Sequence, residues 1–264
     1  MEDVQARHDD RGIAIQRAGV RDLRYPITVL DQAEGKQQTV GVIAASASVG
    51  PTTKGTHMSR FIEVLNDHVG ELTLNTIPAV LSDIRERLGA DHADLEVRFT
   101  YFLTREAPVS GARGLMDYDC WFRGSSDAAI ADRFVLGVRT PVTSLCPCSK
   151  EISDYGAHNQ RGFVSIEIES VLDTYGKPSL VWIEELIELA EQAGSCPVYP
   201  VLKRPDERFV TMRAYDHPVF VEDMVRHVAA QLEADDRVAW YSVEARNQES
   251  IHNHDAFALV TSDR

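Results

Sequence analysis

The sequence predicts an α+β protein in which antiparallel sheets are backed by helix pairs. Two observations carry this. Stretches with a period of two and stretches with a helical period follow one another in the order ββααββ, and that order occurs twice, with a seam near residues 125 to 130. The composition, 44% hydrophobic and 26% charged over 264 residues, is that of a globular chain long enough for one large domain or two small ones.

Each element has its own pattern. Residues 1–20 are polar and charged, a loose N-terminal segment ahead of a first unit over 21–126 and a second over 127–264. Residues 27–30 and 40–48 read as strands. Met58, Phe61, Ile62, Leu65 and Val69 share one helical face, and Ile77, Val80, Leu81, Ile84 and Leu88 share another. Leu95, Val97, Phe99, Tyr101 and Leu103 then alternate as a half-buried strand, and residues 115–122 give the next. In the second half Phe134, Leu136 and Val138 alternate, as do Val164, Ile166 and Ile168. Ile183, Leu186, Ile187 and Ala190 form a helix face; Val221, Met224, Val225, Val228 and Leu232 form the last one, with Pro218 suited to its first turn. Val238, Trp240 and Ser242, then Phe257 and Leu259, supply two closing strands. Small open sheets leave edges exposed, so pairing within and between subunits is expected.

Charge and cysteine usage narrow the function. A formal net charge of −14 argues against non-specific binding to nucleic acid or to an anionic membrane, so an anionic ligand would need local Lys and Arg. Four cysteines (Cys120, Cys146, Cys148 and Cys196) are too few for a disulfide scaffold of this length. The first eight residues lack the apolar core of a signal peptide, and no run reaches the length of a membrane-spanning helix. The expectation is a protein of the reducing cytoplasm.

The chemistry concentrates in a few segments. Residues 144–161, SLCPCSKEISDYGAHNQR, put two thiols, a histidine, carboxylates and cations between two apolar runs. Thiolate, imidazole and carboxylate together suit zinc or a similar divalent metal. The plainer reading makes Cys146 and Cys148, at i and i+2 of an extended segment, two small buried residues on one side of a strand end. A structural zinc site would call for a second cysteine pair, which is missing. His252 and His254, beside Glu249, share a face just before the last strand, either as exposed histidines or as proton-transfer or ligating groups. Residues 202–209, LKRPDERF, form a charged loop that is either solvated or supplies Lys203 and Arg204 to an anion and a carboxylate to a metal. Residues 52–60, TTKGTHMSR, precede a helix: Thr56 caps it in the simple reading, and Lys54, Arg60 and helix N–H groups cradle an anion in the functional one.

These segments together resemble the type IB GTP cyclohydrolase I enzymes. The carriers are residues 141–153 (PVTSLCPCSKEIS), 157–161 (AHNQR), 54–61 (KGTHMSRF), 202–207 (LKRPDE) and 249–254 (ESIHNH). The resemblance implies the tunnelling fold, whose unit is ββααββ, and a homotetramer with active sites at subunit interfaces. It implies hydrolytic opening of the guanine imidazole ring of GTP to 7,8-dihydroneopterin triphosphate and formate, the first step of tetrahydrofolate synthesis. It implies a divalent metal, Zn2+ or Mn2+, on Cys146, His158 and Glu207. Glu222 would anchor the guanine edge, and Glu249, His252 and His254 would line the pocket with Cys146 and His158 as the catalytic set. Lys54, His57, Arg60, Lys150, Arg161, Lys203 and Arg204 are the candidates for holding the substrate.

Three other readings stay open on sequence. A nitrile reductase of queuosine synthesis would use Cys146 as a metal-free nucleophile with NADPH. An archaeal-type cyclohydrolase would release a cyclic phosphate. A pterin- or purine-binding module with structural zinc would bind metal and release no formate.

Overall fold

The computed structural model describes residues 4, 5, 7–68, 72, 73, 75–129, 132–174 and 176–262. Val69 of the first expected helix face lies outside these residues, as does residue 130 of the expected seam. In chain order the elements are β1 (Ile15–Asp31), β2 (Gly35–Val49), α1 (Met58–His68), α2 (Ile77–Leu88), β3 (His92–Glu106), β4 (Arg113–Asp127), β5 (Arg133–Leu145), α3 (Pro147–Ile152), β6 (Asn159–Ser170), α4 (Ile183–Ala193), β7 (Cys196–Pro197), α5 (Arg204–Asp216), α6 (Val221–Glu233), β8 (Val238–Asn247) and β9 (Ala256–Thr261). The α+β class holds, with six helices among the described residues.

The strands pair in the order β1-β2-β3-β4-β5-β6-β8-β9, with β7 on β5, so among the described residues the strands read as two small sheets are joined within the chain into one nine-stranded sheet, the edge pairing that open edges led one to expect. Continued pairing satisfies the backbone N–H and C=O groups that each small sheet would leave bare at its edge. The chain clusters into two compact units, one of residues 1–100, 121–136 and 172–178, the other of residues 101–120, 137–171 and 179–264.

In the first unit β1 and β2 form a long hairpin. Its turn is set by Asp31, whose Oδ1 accepts the N–H groups of Ala33 (2.9 Å) and Glu34 (2.7 Å), followed by Gly35 at φ 81. The register slips between Ile15 and Ala18 and between Val20 and Leu23, so β1 bends and twists there. β1 begins at Ile15, so the last residues of the segment expected to be loose lie in a strand. Ile27, Val29, Ile43 and Val97 from the strands bury against Phe61, Leu65, Ile77, Val80, Leu81 and Ile84 from α1 and α2. Helical spacing puts those six on one stripe per helix. α2 ends at Gly89 in the left-handed region, φ 60, where its N–H returns to the carbonyls of Arg85 and Glu86.

In the second unit Leu186, Ile187 and Ala190 of α4 and Met224, Val228 and Leu232 of α6 are buried along with Val164, Ile166 and Ile168 of β6 and Val243 of β8. The interior also holds an ionic cluster. Arg105 Nη2 lies 2.5 Å from Glu191 Oε2, Arg105 Nε donates to the Tyr118 hydroxyl (3.0 Å), and that hydroxyl donates to Glu191 Oε1 (3.2 Å). Burial pushes the Glu191 carboxyl upward in pKa against the pull of Arg105, and burial likewise pushes the Tyr118 phenol up.

Other expectations are corrected. Residues 204–209 are the start of α5, not a loop; Pro205 fits a first turn and Asp206 caps it. α6 begins at Val221, so Pro218 precedes the helix, although Glu222 remains in its first turn. Phe257 and Leu259 lie on a closing strand as expected, but β9 is an edge strand and leaves them 68% and 57% exposed. In β8 the buried face is Tyr241, Val243, Ala245 and Asn247, the opposite phase from Trp240 and Ser242. The slip between Glu169 and Ser170 in the β6–β8 pairing lies near Val238 and resets that phase.

Gly124 of β4 is where the first unit tests its own packing. A Cβ there would stand 2.5 Å from Ile77 Cγ2 and 2.8 Å from Leu81 Cδ1. Gly124→Ala is expected to destabilise the protein by about 1–3 kcal/mol, the usual cost of overpacking. Urea unfolding measures this, and an unchanged midpoint would mean α2 does not press on β4.

Candidate functional site

The site begins where β5 ends. Pro147 at the first helical position makes the Cys146–Cys148 stretch turn into the six-residue helix α3, with Cys146 as its N-cap. Cys146 Sγ accepts the N–H of Ser149 at 3.4 Å. The extended geometry that would set both thiols on one side is therefore absent: Cys146 is half-buried, Cys148 is exposed, and both are free thiols. The chain then returns to start β6, and Cys146 N–H donates to the carbonyl of His158 (3.1 Å). Ser149 braces the same closure, its hydroxyl donating to Cys146 O (3.1 Å) and accepting from His158 N–H (3.2 Å).

His158 is oriented by two partners. Its Nδ1 lies 2.8 Å from Gln160 Oε1 and 3.2 Å from Ser250 Oγ. An amide oxygen only accepts, so the hydrogen-bond network assigns the proton to Nδ1 and leaves the Nε2 lone pair for a ligand or a proton. Gln160, buried, holds the His158 ring, and the sequence reading quoted it without assigning a role. Its signal was its place two residues beyond His158, on the same side of a strand.

Glu249 follows β8. Its Oε2 is buried without a hydrogen-bond partner, a poor arrangement for an ionised carboxylate unless a donor is to arrive. Gln248 N–H donates to Arg161 O (2.9 Å), which sets this segment beside the start of β6. Ser250 reaches His158, so the two sequence clusters meet in space. His252 and His254 are exposed and stack on each other, ring centres 5.2 Å apart. Glu222 is exposed in the first turn of α6.

The carboxylates of α5 divide by helix phase. Asp206 is fully buried. It accepts from Val109 N–H (2.8 Å), Ser110 N–H (2.8 Å), Ser110 Oγ (2.6 Å) and Lys203 N–H (2.8 Å). Burial opposes its ionisation, but those hydrogen bonds outweigh it and hold the carboxyl below the usual range. Glu207, one residue on, is exposed.

Cys146 supplies a free thiol and His158 a ring nitrogen whose partner nitrogen is already hydrogen-bonded, the arrangement that orients histidine ligands. Each of these donor types suits a divalent metal. Among the described residues no three His, Cys, Asp or Glu side chains stand together as a ligand set, so Cys146, His158 and Glu207 are not gathered into one.

The candidate cations are used unequally. Lys150 Nζ donates to Tyr215 O (2.5 Å) at the C-terminal end of α5 and sits 4.3 Å from the Tyr215 ring centre. Arg60 donates to Arg87 O (2.7 Å), at the end of α2. Lys54, Arg161, Lys203 and Arg204 have exposed side chains. α1 starts at Met58, directly after His57, so Thr56 is not its capping residue. Among the described residues no helix is long and apolar enough to cross a membrane.

An antiparallel sheet carrying helices, with Cys146 and His158 closing the turn between two neighbouring strands, is the frame of the site. The same fold occurs in urate oxidase from Bacillus subtilis 168 (TM-score 0.54, 10% identity, 94% of this chain and 99% of that one) and in a uricase from Bacillus fastidious (TM-score 0.56, 8% identity, 94% and 93%). The family description "Type I GTP cyclohydrolase folE2" matches residues 1–258. The chain is 48% identical to GTP cyclohydrolase FolE2 of Syntrophobacter fumaroxidans over 260 residues, 98% of each chain. It is 48% identical to GTP cyclohydrolase FolE2 of Geobacter sulfurreducens over 264 residues, covering 100% of this chain and 99% of that protein. The chain belongs to the type I GTP cyclohydrolase folE2 family.

Asp206→Asn is expected to lower the melting temperature at neutral pH, because an amide presents a donor to a site built from four donors. The folded carboxyl titrates below its ordinary value of about 4. Its stabilisation is therefore complete above that value and is lost as pH falls through the folded one. The gap between wild type and variant should narrow in acid; thermal melts between neutral pH and about pH 3 read it.

Proposed function

We propose that this chain is a metal-dependent GTP cyclohydrolase I of the type IB kind, built as two tandem ββααββ units of the tunnelling fold. It opens the guanine imidazole ring of GTP to give 7,8-dihydroneopterin triphosphate and formate, the entry to folate synthesis. Full-length identity near one half with two FolE2 enzymes carries the reading. The meeting of the residue 144–161 segment with the Glu249 segment supports it.

Cys146 and His158 would hold Zn2+ or Mn2+, with Glu207, which is not gathered with them in this chain, as the third ligand that the family resemblance implies. The metal would supply Lewis acidity and a supply of hydroxide near neutral pH for attack at guanine C8. The chain's own groups do the rest. Gln160 and Ser250 keep His158 in one tautomer and orientation. Glu249, Ser250's neighbour with an unpaired carboxylate oxygen, and the exposed stacked pair His252 and His254 would hold and pass protons as the ring opens and formate leaves. Glu222 accepts from guanine N1–H and the 2-amino group, a pattern adenine cannot present. Lys54, His57, Arg161, Lys203 and Arg204 bind the triphosphate, with Lys150 and Arg60 available once released from the carbonyls they now hold. The enzyme works in the cytoplasm as a homotetramer with interfacial sites. Four free thiols accord with a reducing compartment, and the exposed apolar edge strand β9 accords with association.

Incubation with GTP and Mn2+ or Zn2+ should yield pterin fluorescence and formate, and chelation should abolish both. Cys146→Ala should lose metal and turnover, whereas Cys148→Ala should keep most of its metal. Full activity in metal-stripped protein would overturn the metal assignment; equal metal loss in both variants would overturn the choice of thiol.

Glu222→Gln should leave metal content and melting temperature near wild type. The amide turns one acceptor into a donor facing a guanine donor, a mismatch of roughly 1–3 kcal/mol. That corresponds to a loss of about ten- to hundredfold in kcat/KM for GTP. Unchanged kcat/KM would assign Glu222 to the α6 helix dipole alone.

A further inference from the structure

We propose that Ser144 and Asn247 are positioning residues, a buried polar node that holds the Cys146 turn, the start of α6 and the Glu249 segment in one register. The inference rests on the cyclohydrolase reading above and adds a role for two residues outside its site list.

Ser144 is completely buried and Asn247 is 4% exposed. The Ser144 hydroxyl donates to the carbonyl of Val219 (3.2 Å) and accepts from Asn247 Nδ2 (2.8 Å). A hydroxyl has one proton. With that proton on Val219, only the Asn247 N–H end satisfies the contact, which fixes the orientation of the amide. Val219 N–H donates in turn to Leu145 O (3.1 Å), so the strand end and the approach to α6 are linked twice. The partners are spaced regularly along the chain: Cys146 lies two residues after Ser144, Glu222 three after Val219, and Glu249 two after Asn247.

The surroundings are shaped to keep this node. Asn247 pairs with Gly162 in the β6–β8 register. A Cβ on Gly162 would stand 2.5 Å from Asn247 Oδ1, so the bare glycine gives the amide its space. On its other side the end of β5 is held by Ser195, whose hydroxyl accepts from Leu145 N–H (2.9 Å) and whose N–H donates to Thr143 O (2.9 Å). Close by, Val142, Val164 and Val243 are fully buried and apolar. An apolar pair would fit such surroundings with no desolvation cost, whereas Ser and Asn require it. What the polar pair adds is direction. Hydrogen bonds of fixed geometry set the three segments relative to one another, and van der Waals contacts leave them free to slide.

A positioning role and a purely structural role give different kinetics. With the node removed, Cys146 keeps its bonds to His158 and Ser149, and Glu222 keeps its place on α6. Metal content and KM for GTP should then stay near wild type while kcat falls, because two intact half-sites are out of alignment. A misplacement of about 1 Å costs up to about a hundredfold in rate. Ser144→Ala and Asn247→Ala are each expected to lower kcat about ten- to hundredfold at a temperature well below melting. The double variant should lose no more than the worse single one, because one node is removed once. Amide exchange by mass spectrometry should rise in residues 219–222 and 248–254 of Ser144→Ala, away from the substituted residue. If Ser144→Ala does not fold, Asn247→Ala carries the same test.

Wild-type kcat in either folded variant would overturn the proposal, as would loss of kcat that multiplies in the double variant or that comes with loss of metal. Raised exchange confined to residues 143–146 would also overturn it. A wild-type protein that releases no formate from GTP marks failure of the cyclohydrolase reading itself, which is a different result from an active enzyme indifferent to Ser144.

Discussion

The hydrogen bond from Cys146 N–H to His158 O closes a thirteen-residue excursion between β5 and β6, and the functional half of the chain is organised around it. Without it the thiol and the imidazole would sit on opposite ends of an open loop, and holding them together would cost the conformational entropy of every residue between. Ser149 reinforces the closure by bonding to both ends. Because β5 and β6 are interior strands of the sheet, the closure is anchored to backbone that cannot shift without breaking ladders. Pro147 starts the short helix that fits within the excursion, so the local sequence and the sheet impose the same turn.

Polar groups around this closure are mostly paired, and the exceptions are informative. Gln160 and Ser250 face one nitrogen of His158, Ser195 holds the strand end, and Asp206 gathers four donors at the start of α5. Against that background two nearby buried oxygens have no partner, Asn247 Oδ1 and Glu249 Oε2, and the carboxylate one is the better place for something that is not protein. The strongly acidic chain makes the same point at long range. With a net charge of −14 a triphosphate is repelled by the average surface, so its attraction must come from a few cations close to the site. Two of the candidates, Lys150 and Arg60, are held at helix C-termini, where the carbonyls and the helix dipole favour a cation.

The sequence by itself determined the α+β class and most elements. The period-two stretches at 95–103 and 164–168 and the helical stripes of α2, α4 and α6 lie on buried faces, and burial follows directly from periodicity. It also singled out the 144–161 and 249–254 segments, because dense thiol, imidazole and carboxylate content between apolar runs has little use in a core. Phe257 and Leu259 read correctly as a strand, but that this strand lies at the sheet edge and turns them to solvent is something only its neighbours reveal. Tertiary structure alone decided that residues 204–216 are a helix, and thus that Asp206 turns inward to cap it while Glu207 faces out. Two adjacent carboxylates differ by about 100° of helix phase, and that phase depends on where the helix starts and what it packs on. Nor could the sequence show that Ser144, Val219 and Asn247, more than a hundred residues apart at the extremes, meet through one hydroxyl. Hydrogen-bond partners across strands and helix starts are set by register and packing, and neither is written in any local stretch of chain.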